Sequence, residues 1–484
     1  MYRNGSFLLH GPMNSLRPSV LLLVLLVLAG CCLGQTPSLQ DSLTAAVGGS
    51  EKELSAVIGM AVTDLRSGKT LADHRGGELF IPASNQKLLT SSFAMARLGA
   101  AFEFTTTLYY AGGNLVIVGD GDPTLGDARV AAAAGKTIYD DLDAWSLAVK
   151  ARMGDSFAGD IVVCDPQGPQ RYRNPDWPAG QSDQWYVAAV ATLNFNNNCL
   201  DITLGLDGDK VVPAIAPQSR LITTINNITK GRRQSWSARL GKDDSEMTLR
   251  GTIVRATTEP ENVAVNDPPL LLGRVLAERL VRAGVSFTGQ VRRAEPAAVD
   301  LAGAQVIGRK TTPLGTAMTR ANKRSLNMAA ECIFLRAGDG TWAGSAEKMT
   351  QTLIETFGLS GGELTVHDGG GLSRNNRIAP AAMVKLLAAM SRRPDAAVFL
   401  SSLPISGVDG TMEKRLDKPP YRGRVLGKTG YITAVSSLSG YVLDESGKPV
   451  VAFSILANKV PDGKGWKVKQ FQDHICQLLV DAVE

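Results

Sequence analysis

The sequence predicts a mixed α/β fold in which both ends of the chain build one discontinuous domain around a long, mainly-β insertion. Three observations carry this expectation. A strand hairpin and an amphipathic helix open the chain after residue 56, and three strands and a helix close it after residue 423. Between them, residues 102–302 mix short strands with turn-rich loops. The length, 484 residues, exceeds what one ordinary core supports. We therefore expect residues 36–101 and 303–484 to form the discontinuous domain, and 102–302 an inserted region with room for two nested subdomains.

The elements follow in chain order. Val57 to Leu65 alternates, Arg66-Ser-Gly-Lys69 turns, and Thr70 to Asp73 returns, which is a hairpin. Ser84 to Leu98 places Leu88, Leu89, Phe93, Met95 and Leu98 in helical rhythm, and Gly99 stops it. Phe104 to Tyr110 and Leu115 to Val118 flank Ala-Gly-Gly-Asn, a second hairpin. Leu270 to Ala283 is an amphipathic helix ended by Gly284, and a helical pattern resumes from Ser325 through Met328, Cys332 and Leu335. Arg424 to Gly430, Ser436 to Leu443 and Val450 to Ala457 read as consecutive strands, and Lys467 to Val483 as a final helix. No internal repeat is visible.

Composition bounds the function. The chain is 44% hydrophobic and 20% charged, with no polar low-complexity tract. Its net charge is +5, but residues 1–30 hold Arg3 and Arg17 and no acid, so 49 cations face 46 acids beyond them. That surplus does not argue for nucleic acid as a partner. The denser run Lys230-Gly-Arg-Arg233, with Arg239 and Lys242, reads as a solvated hairpin face.

Arg17 precedes an apolar run from Val20 to Leu28, a short h-region typical of a secretion signal. It ends Leu28-Ala-Gly-Cys31, which resembles the bacterial lipoprotein signal and makes Cys31 the lipidation candidate; cleavage after Gly34 is the alternative. We expect an exported protein of the periplasm or cell envelope, with a lipid tether in place of a membrane span. Cys164, Cys199, Cys332 and Cys476 have no metal-ligand spacing, and a Cys164–Cys199 disulfide and buried free thiols both remain open. No metal and no cofactor are expected. The four histidines, His10, His74, His367 and His474, sit in no recognisable triad motif, so a catalytic serine would need another base.

Ser84-Asn-Gln-Lys87 supplies one. Residues three apart at a helix start share a face, and a partly desolvated lysine can accept the serine proton. The pattern alone is weak, because Ser345-Ala-Glu-Lys348 repeats it; we read that copy as an exposed helix turn. Two partners distinguish the first copy. Ser325-Leu-Asn327, at the start of a helical segment, offers a hydroxyl for proton relay and an amide for substrate. Lys428-Thr-Gly430, on a strand and followed by Tyr431, offers a cation and a hydroxyl to a carboxylate. A second Ser-x-Asn, Ser373-Arg-Asn375, lies in a glycine-rich loop and lacks the helical context. Together the three motifs are the signature of penicillin-binding proteins and class A β-lactamases.

Longer strings narrow the match: Pro82-Ala-Ser-Asn-Gln-Lys87, Gly121-Asp-Pro-Thr-Leu125, Asp368-Gly-Gly-Gly-Leu-Ser-Arg374, Gly407-Val-Asp-Gly-Thr411 and Val435-Ser-Ser-Leu-Ser-Gly-Tyr441. From about residue 40 to 480 the chain resembles the D-alanyl-D-alanine carboxypeptidase/endopeptidase family, the class C low-molecular-mass penicillin-binding proteins. The gap of 241 residues between Ser84 and Ser325 resembles that family, whose transpeptidase/β-lactamase-like domain, an antiparallel sheet flanked by helices, carries inserted domains.

The resemblance implies a serine hydrolase of peptidoglycan stem peptides, acylated at Ser84 and covalently inhibited by β-lactams. It implies Lys87 as base, Ser325 as proton shuttle, and Asn327 orienting Lys87 and substrate. Lys428 and Thr429 would bind the terminal carboxylate, with Gly430 allowing close approach of the strand. The N–H groups of Ser84 and Tyr431 would form the oxyanion hole. Tyr431 and Gly370 depart from the family's frequent threonine and serine, which bears on contacts at the pocket rim. The rival readings are a serine β-lactamase, for which no Glu-x-x-Leu-Asn loop is found, and a non-catalytic wall-binding or β-lactam-sensing protein.

Overall fold

The computed structural model describes residues 38–483; the expected signal segment 1–30 and Cys31 lie outside the described residues. The chain enters through α1 (Leu39–Leu54), started by a reciprocal Ser38–Asp41 capping box. The hairpin β1 (Val57–Asp64) and β2 (Thr70–His74) follows as expected. A 3-10 turn, Ala83–Asn85, then leads into α2 (Gln86–Arg97), so the predicted helix begins two residues after Ser84.

The inserted region begins with β3 (Glu103–Ala111), β4 (Asn114–Gly119), α3 (Asp140–Met153) and β5 (Ile161–Cys164). Next come β6 (Cys199–Asp207), β7 (Lys210–Ala216), β8 (Thr223–Lys230), β9 (Ser235–Leu240), β10 (Glu246–Ile253) and β11 (Glu261–Ala264). It closes with α4 (Pro268–Arg282), β12 (Val291–Ala294) and β13 (Gln305–Pro313). The chain returns through α5 (Leu314–Lys323), α6 (Asn327–Ala337), α7 (Trp342–Phe357) and α8 (Pro380–Ser391). It ends in β14 (Val425–Ile432), β15 (Val435–Leu443), β16 (Pro449–Asn458) and α9 (Gly465–Asp481).

The two ends of the chain form one antiparallel sheet in the order β14-β15-β16-β1-β2. Alternation along β16 sorts its side chains between two cores. Val451, Phe453 and Ile455 pack with Leu43 and Val47 of α1 and Ile475 and Leu479 of α9. Ala452 and Leu456 face the other way, with Leu386 and Leu387 of α8 and Leu89 and Phe93 of α2. Both faces are therefore covered, and every residue of β15 is buried. Among the described residues no helix is long and apolar enough to cross a membrane.

The insert builds a sheet ordered β12-β5-β4-β3-β13. Its parallel pairs, β4–β5 and β5–β12, are joined through α3 and α4, as parallel neighbours require. Leu142 and Trp145 of α3 and Val275 and Leu276 of α4 cover Ile117, Ile161 and Val163. Strand β13 pairs along β3, from Glu103↔Pro313 to Gln305↔Tyr110, so chain entering and leaving the insert runs side by side. Two three-stranded sheets, β9-β10-β8 and β11-β6-β7, complete this β-rich part.

Two expectations change. The basic run around Lys230 is solvated, but it is no hairpin: β10 lies between β8 and β9 and runs parallel to β8. Ser345 is buried rather than exposed, because its hydroxyl turns back onto the Asp339 N–H (3.3 Å) at the start of α7. The cysteine alternatives resolve as well: Cys164, Cys199, Cys332 and Cys476 are all buried free thiols.

Candidate active site

Three segments meet at the edge strand of the terminal sheet: the Ala83–Asn85 turn, the start of α6, and β14. The turn is pinned from both sides. Asn85 donates to the Lys428 carbonyl (2.6 Å) and accepts from Ser439 (2.6 Å), and Ser437 donates to the Pro82 carbonyl (2.7 Å). A Cβ on Gly430 would stand 2.9 Å from both the Ser84 nitrogen and the Pro82 oxygen, so only glycine lets β14 lie against the turn without displacement. Ala83 and Ser325 hold positive φ (47° and 55°) without being glycine. Such backbones cost roughly 1–3 kcal/mol each and persist where surrounding contacts over-determine them.

Lys87 is fully buried, and its Nζ makes three contacts. It lies 3.1 Å from Ser84 Oγ, 2.7 Å from Asn327 Oδ1 and 2.6 Å from the Gly370 carbonyl. Burial pushes its pKa down to about 8 against the opposing pull of Glu331 and Asp368. The Asn327 amide is oriented by its own donation to the Tyr186 carbonyl (2.8 Å). Lys428, also fully buried, donates to Ser325 Oγ (3.0 Å) and to the Thr429 carbonyl (2.7 Å). Burial first, and then the charge of Lys87, hold it well below the ordinary lysine range. Thr429 Oγ1 donates to Thr411 Oγ1 (2.8 Å).

These groups open onto a cavity of about 480 Å³ lined by Ser84, Ser325, Asn327 and Tyr431, by Arg374, and by Trp185 and Tyr186 of the insert. All eight residues predicted from the three motifs thus lie in one place. Ser84, Lys87 and Asn327 form one connected group; Ser325, Lys428 and Thr429 form the next; Tyr431 lines the cavity, and Gly430 beside it is buried against the turn. The two decoy motifs are elsewhere in the network. Ser345 serves the α7 start, and Ser373 bonds Asp176 (3.0 Å) and the Asp368 carboxylate through its N–H (2.6 Å).

Several neighbours escaped sequence reasoning. Glu331 is four residues after Asn327 on α6, so helical spacing alone places it on the same face. It is fully buried, and its two oxygens accept the N–H groups of Gly369 and Gly370, both at 2.7 Å. Burial and then Asp368 push its pKa well up, against those N–H bonds and Lys87. Trp177, Trp185 and Tyr186 come from the insert, where no local pattern marked them. Trp177 Nε1 donates to Asp368 Oδ2 (3.0 Å), which ties the insert to the glycine loop under Lys87.

The chain matches the model of the D-Ala-D-Ala carboxypeptidase 3 (S13) family over residues 40–479. It is 28% identical to the D-alanyl-D-alanine carboxypeptidase of Actinomadura sp. (strain R39), over 93% of this chain and 88% of that protein. It is 23% identical to the D-alanyl-D-alanine carboxypeptidase DacB of Haemophilus influenzae, over 81% and 84% of the two chains. In fold it is similar to the crystal structure of penicillin binding protein 4 (dacB) from Haemophilus influenzae. That likeness has a TM-score of 0.73 at 22% identity and covers 90% of this chain and 99% of that one.

Proposed function

The chain belongs to the D-Ala-D-Ala carboxypeptidase 3 (S13) family, and from that premise we propose a role for each group around Ser84. The protein is a serine-type D-Ala-D-Ala carboxypeptidase/endopeptidase of the cell envelope, acting on peptidoglycan and sensitive to β-lactams. Ser84 is its nucleophile. The observation that carries this is the 3.1 Å approach of a buried, pKa-lowered lysine to the Ser84 hydroxyl.

Lys87 takes the hydroxyl proton as Ser84 Oγ bonds to the carbonyl carbon of the scissile D-alanyl peptide. Lys428 and Thr429 receive the terminal carboxylate, whose arrival offsets the repulsion between the two buried lysines. The N–H groups of Ser84 and Tyr431 hold the developing oxyanion on the free edge of β14. Ser325, bonded to Lys428, passes the proton to the departing amine as the C–N bond breaks. Water then attacks the acyl-enzyme, releasing the shortened peptide and returning the proton to Ser84. A β-lactam enters the same path through its ring amide, whose cleaved nitrogen stays attached to the acyl group.

The test is covalent labelling with a fluorescent penicillin. Native protein and Ser345→Ala are expected to label, and Ser84→Ala is expected not to. Labelling that survives in Ser84→Ala overturns the assignment.

Two finer points belong to the same reading. We divide the chain into 36–101 with 303–484 around an inserted 102–302, and the pairing of β13 with β3 favours moving the second boundary past Pro313. Cys31 carries a lipid after signal cleavage, as the Leu28-Ala-Gly-Cys31 string supports. Mass analysis of the mature N-terminus is expected to show an acylated Cys31; an unmodified Gln35 start refutes the tether.

A further inference from the structure

A neutral lysine amine has two N–H donors and one lone pair, so the placement of two acceptors fixes where the lone pair points. Around Lys87 the acceptors are Asn327 Oδ1 (2.7 Å) and the Gly370 carbonyl (2.6 Å), and the third neighbour is Ser84 Oγ. With both N–H groups engaged, the lone pair is directed at the serine hydroxyl. Asn327 is locked by Tyr186, which leaves the question of what locks the Gly370 carbonyl.

The grip on that loop comes from α6. Glu331 accepts the N–H of Gly369 on one oxygen and the N–H of Gly370 on the other, at 2.7 Å each. Gln86 donates to the Asp368 carbonyl (3.1 Å) and Thr90 to the Gly369 carbonyl (2.7 Å), and the peptide that carries the Gly370 carbonyl is held at its own N–H, from Gly371, by Asp368 Oδ1 (2.7 Å). We propose that Glu331 is the positioning residue of the base: it clamps the Gly369 and Gly370 N–H groups and so places the next peptide, whose Gly371 N–H Asp368 holds, with its Gly370 carbonyl aiming the Lys87 lone pair at Ser84. This rests on Lys87 being the base.

Burial and Asp368 oppose the charge on Glu331, while two short backbone donors, one to each oxygen, and the neighbouring Lys87 hold the ionised carboxylate. Glu331 therefore also sets the field at Lys87, together with Asp368 from the glycine loop and, with opposite sign, Lys428 from β14. Glu331 and Asp368 favour the ammonium form. Removing the Glu331 charge lets Lys87 lose its proton at lower pH.

The experiment measures the second-order rate of penicillin acylation against pH for native protein, Glu331→Gln and Glu331→Asp, with Ser84→Ala and Lys87→Met alongside. Glutamine presents one acceptor and one donor, so one of the two glycine N–H groups loses its partner. The expected result for Glu331→Gln is a high-pH plateau at least tenfold lower and an acidic limb moved below its native position. Glu331→Asp keeps the charge but shortens the reach; it is expected to lower the plateau with the limb in place. A limb that does not move in Glu331→Gln overturns the proposal whatever the plateau does, because a merely structural loss would scale the curve without shifting it.

If the variants do not fold, hydrogen exchange on the native protein decides. The Gly369 and Gly370 amides are expected to exchange far more slowly than the Gly362 amide on the exposed turn after α7, and equal rates overturn the clamp. Labelling in Ser84→Ala, or native-rate labelling in Lys87→Met, would instead refute the reading of nucleophile and base on which the proposal stands.

Discussion

At the scale of single residues, the site is an exercise in bringing charges where water cannot follow. Lys87 and Lys428 are both fully buried, and each is pulled down in pKa chiefly by that burial. The acylation rate should therefore rise with pH as Lys87 loses its proton, near pH 8 in the unliganded enzyme. Gly430 carries a sharper expectation. Its added Cβ in Gly430→Ala would meet the Ser437 hydroxyl most closely, and then the Ser84 nitrogen and the Pro82 oxygen, both backbone atoms, at 2.9 Å. Strand and turn must separate, and the Ser84 and Tyr431 N–H groups, which we assign to the oxyanion, separate with them. We expect a folded protein whose penicillin acylation slows about 10²-fold, the order of losing one such donor; stopped-flow labelling with a circular-dichroism check measures it. Ser84, Lys87, Ser325, Asn327 and Lys428 were legible because short motifs fix their spacing. Glu331 was not, since a lone glutamate four residues past Asn327 is also how any solvated helix face reads.

At the scale of elements, what could be read followed the range of the interaction. The β1–β2 hairpin, α4 and the three closing strands show their own periodicity and turn residues, and each stands within two residues or so of its expected bounds. Burial on both faces explains why β15 mixes apolar residues with small serines and glycine and no charge: Ser437 and Ser439 bond to Pro82 and Asn85 at the turn. The failure at Lys230 has the opposite cause. Strands β8 and β9 are neighbours in sequence, which suggests a hairpin, but β10 inserts between them and runs parallel to β8. Such pairing is set by distant chain and leaves no local mark. Ser345 was misread for a related reason. Its segment has the polarity of a surface turn, while burial there is decided by how the hydroxyl folds back onto Asp339.

At the scale of the whole molecule, the insert is a structural partner of the site. Tyr186 orients Asn327, Asn174 donates to the His367 carbonyl (2.7 Å), and the Trp177 indole holds Asp368 (3.0 Å). Replacing Trp177 by phenylalanine keeps most of the packing and leaves a buried carboxylate oxygen with one donor fewer. We expect Trp177→Phe to lose about 1–3 kcal/mol of stability and to acylate more slowly, read from denaturant midpoints and labelling rates; unchanged values in both would show that the insert does not brace the loop. The pairing of β1 with β16, from Val57↔Asn458 to Asp64↔Val451, has a temporal meaning as well. A chain made from its N-terminus presents Ser84 early, yet β14 and the sheet that receives it arrive some 340 residues later. Closing so long a loop is slow and comes late in folding. The emerging polypeptide therefore carries Ser84 without its site, and the hydrolase acquires its edge only when its last strands have been delivered.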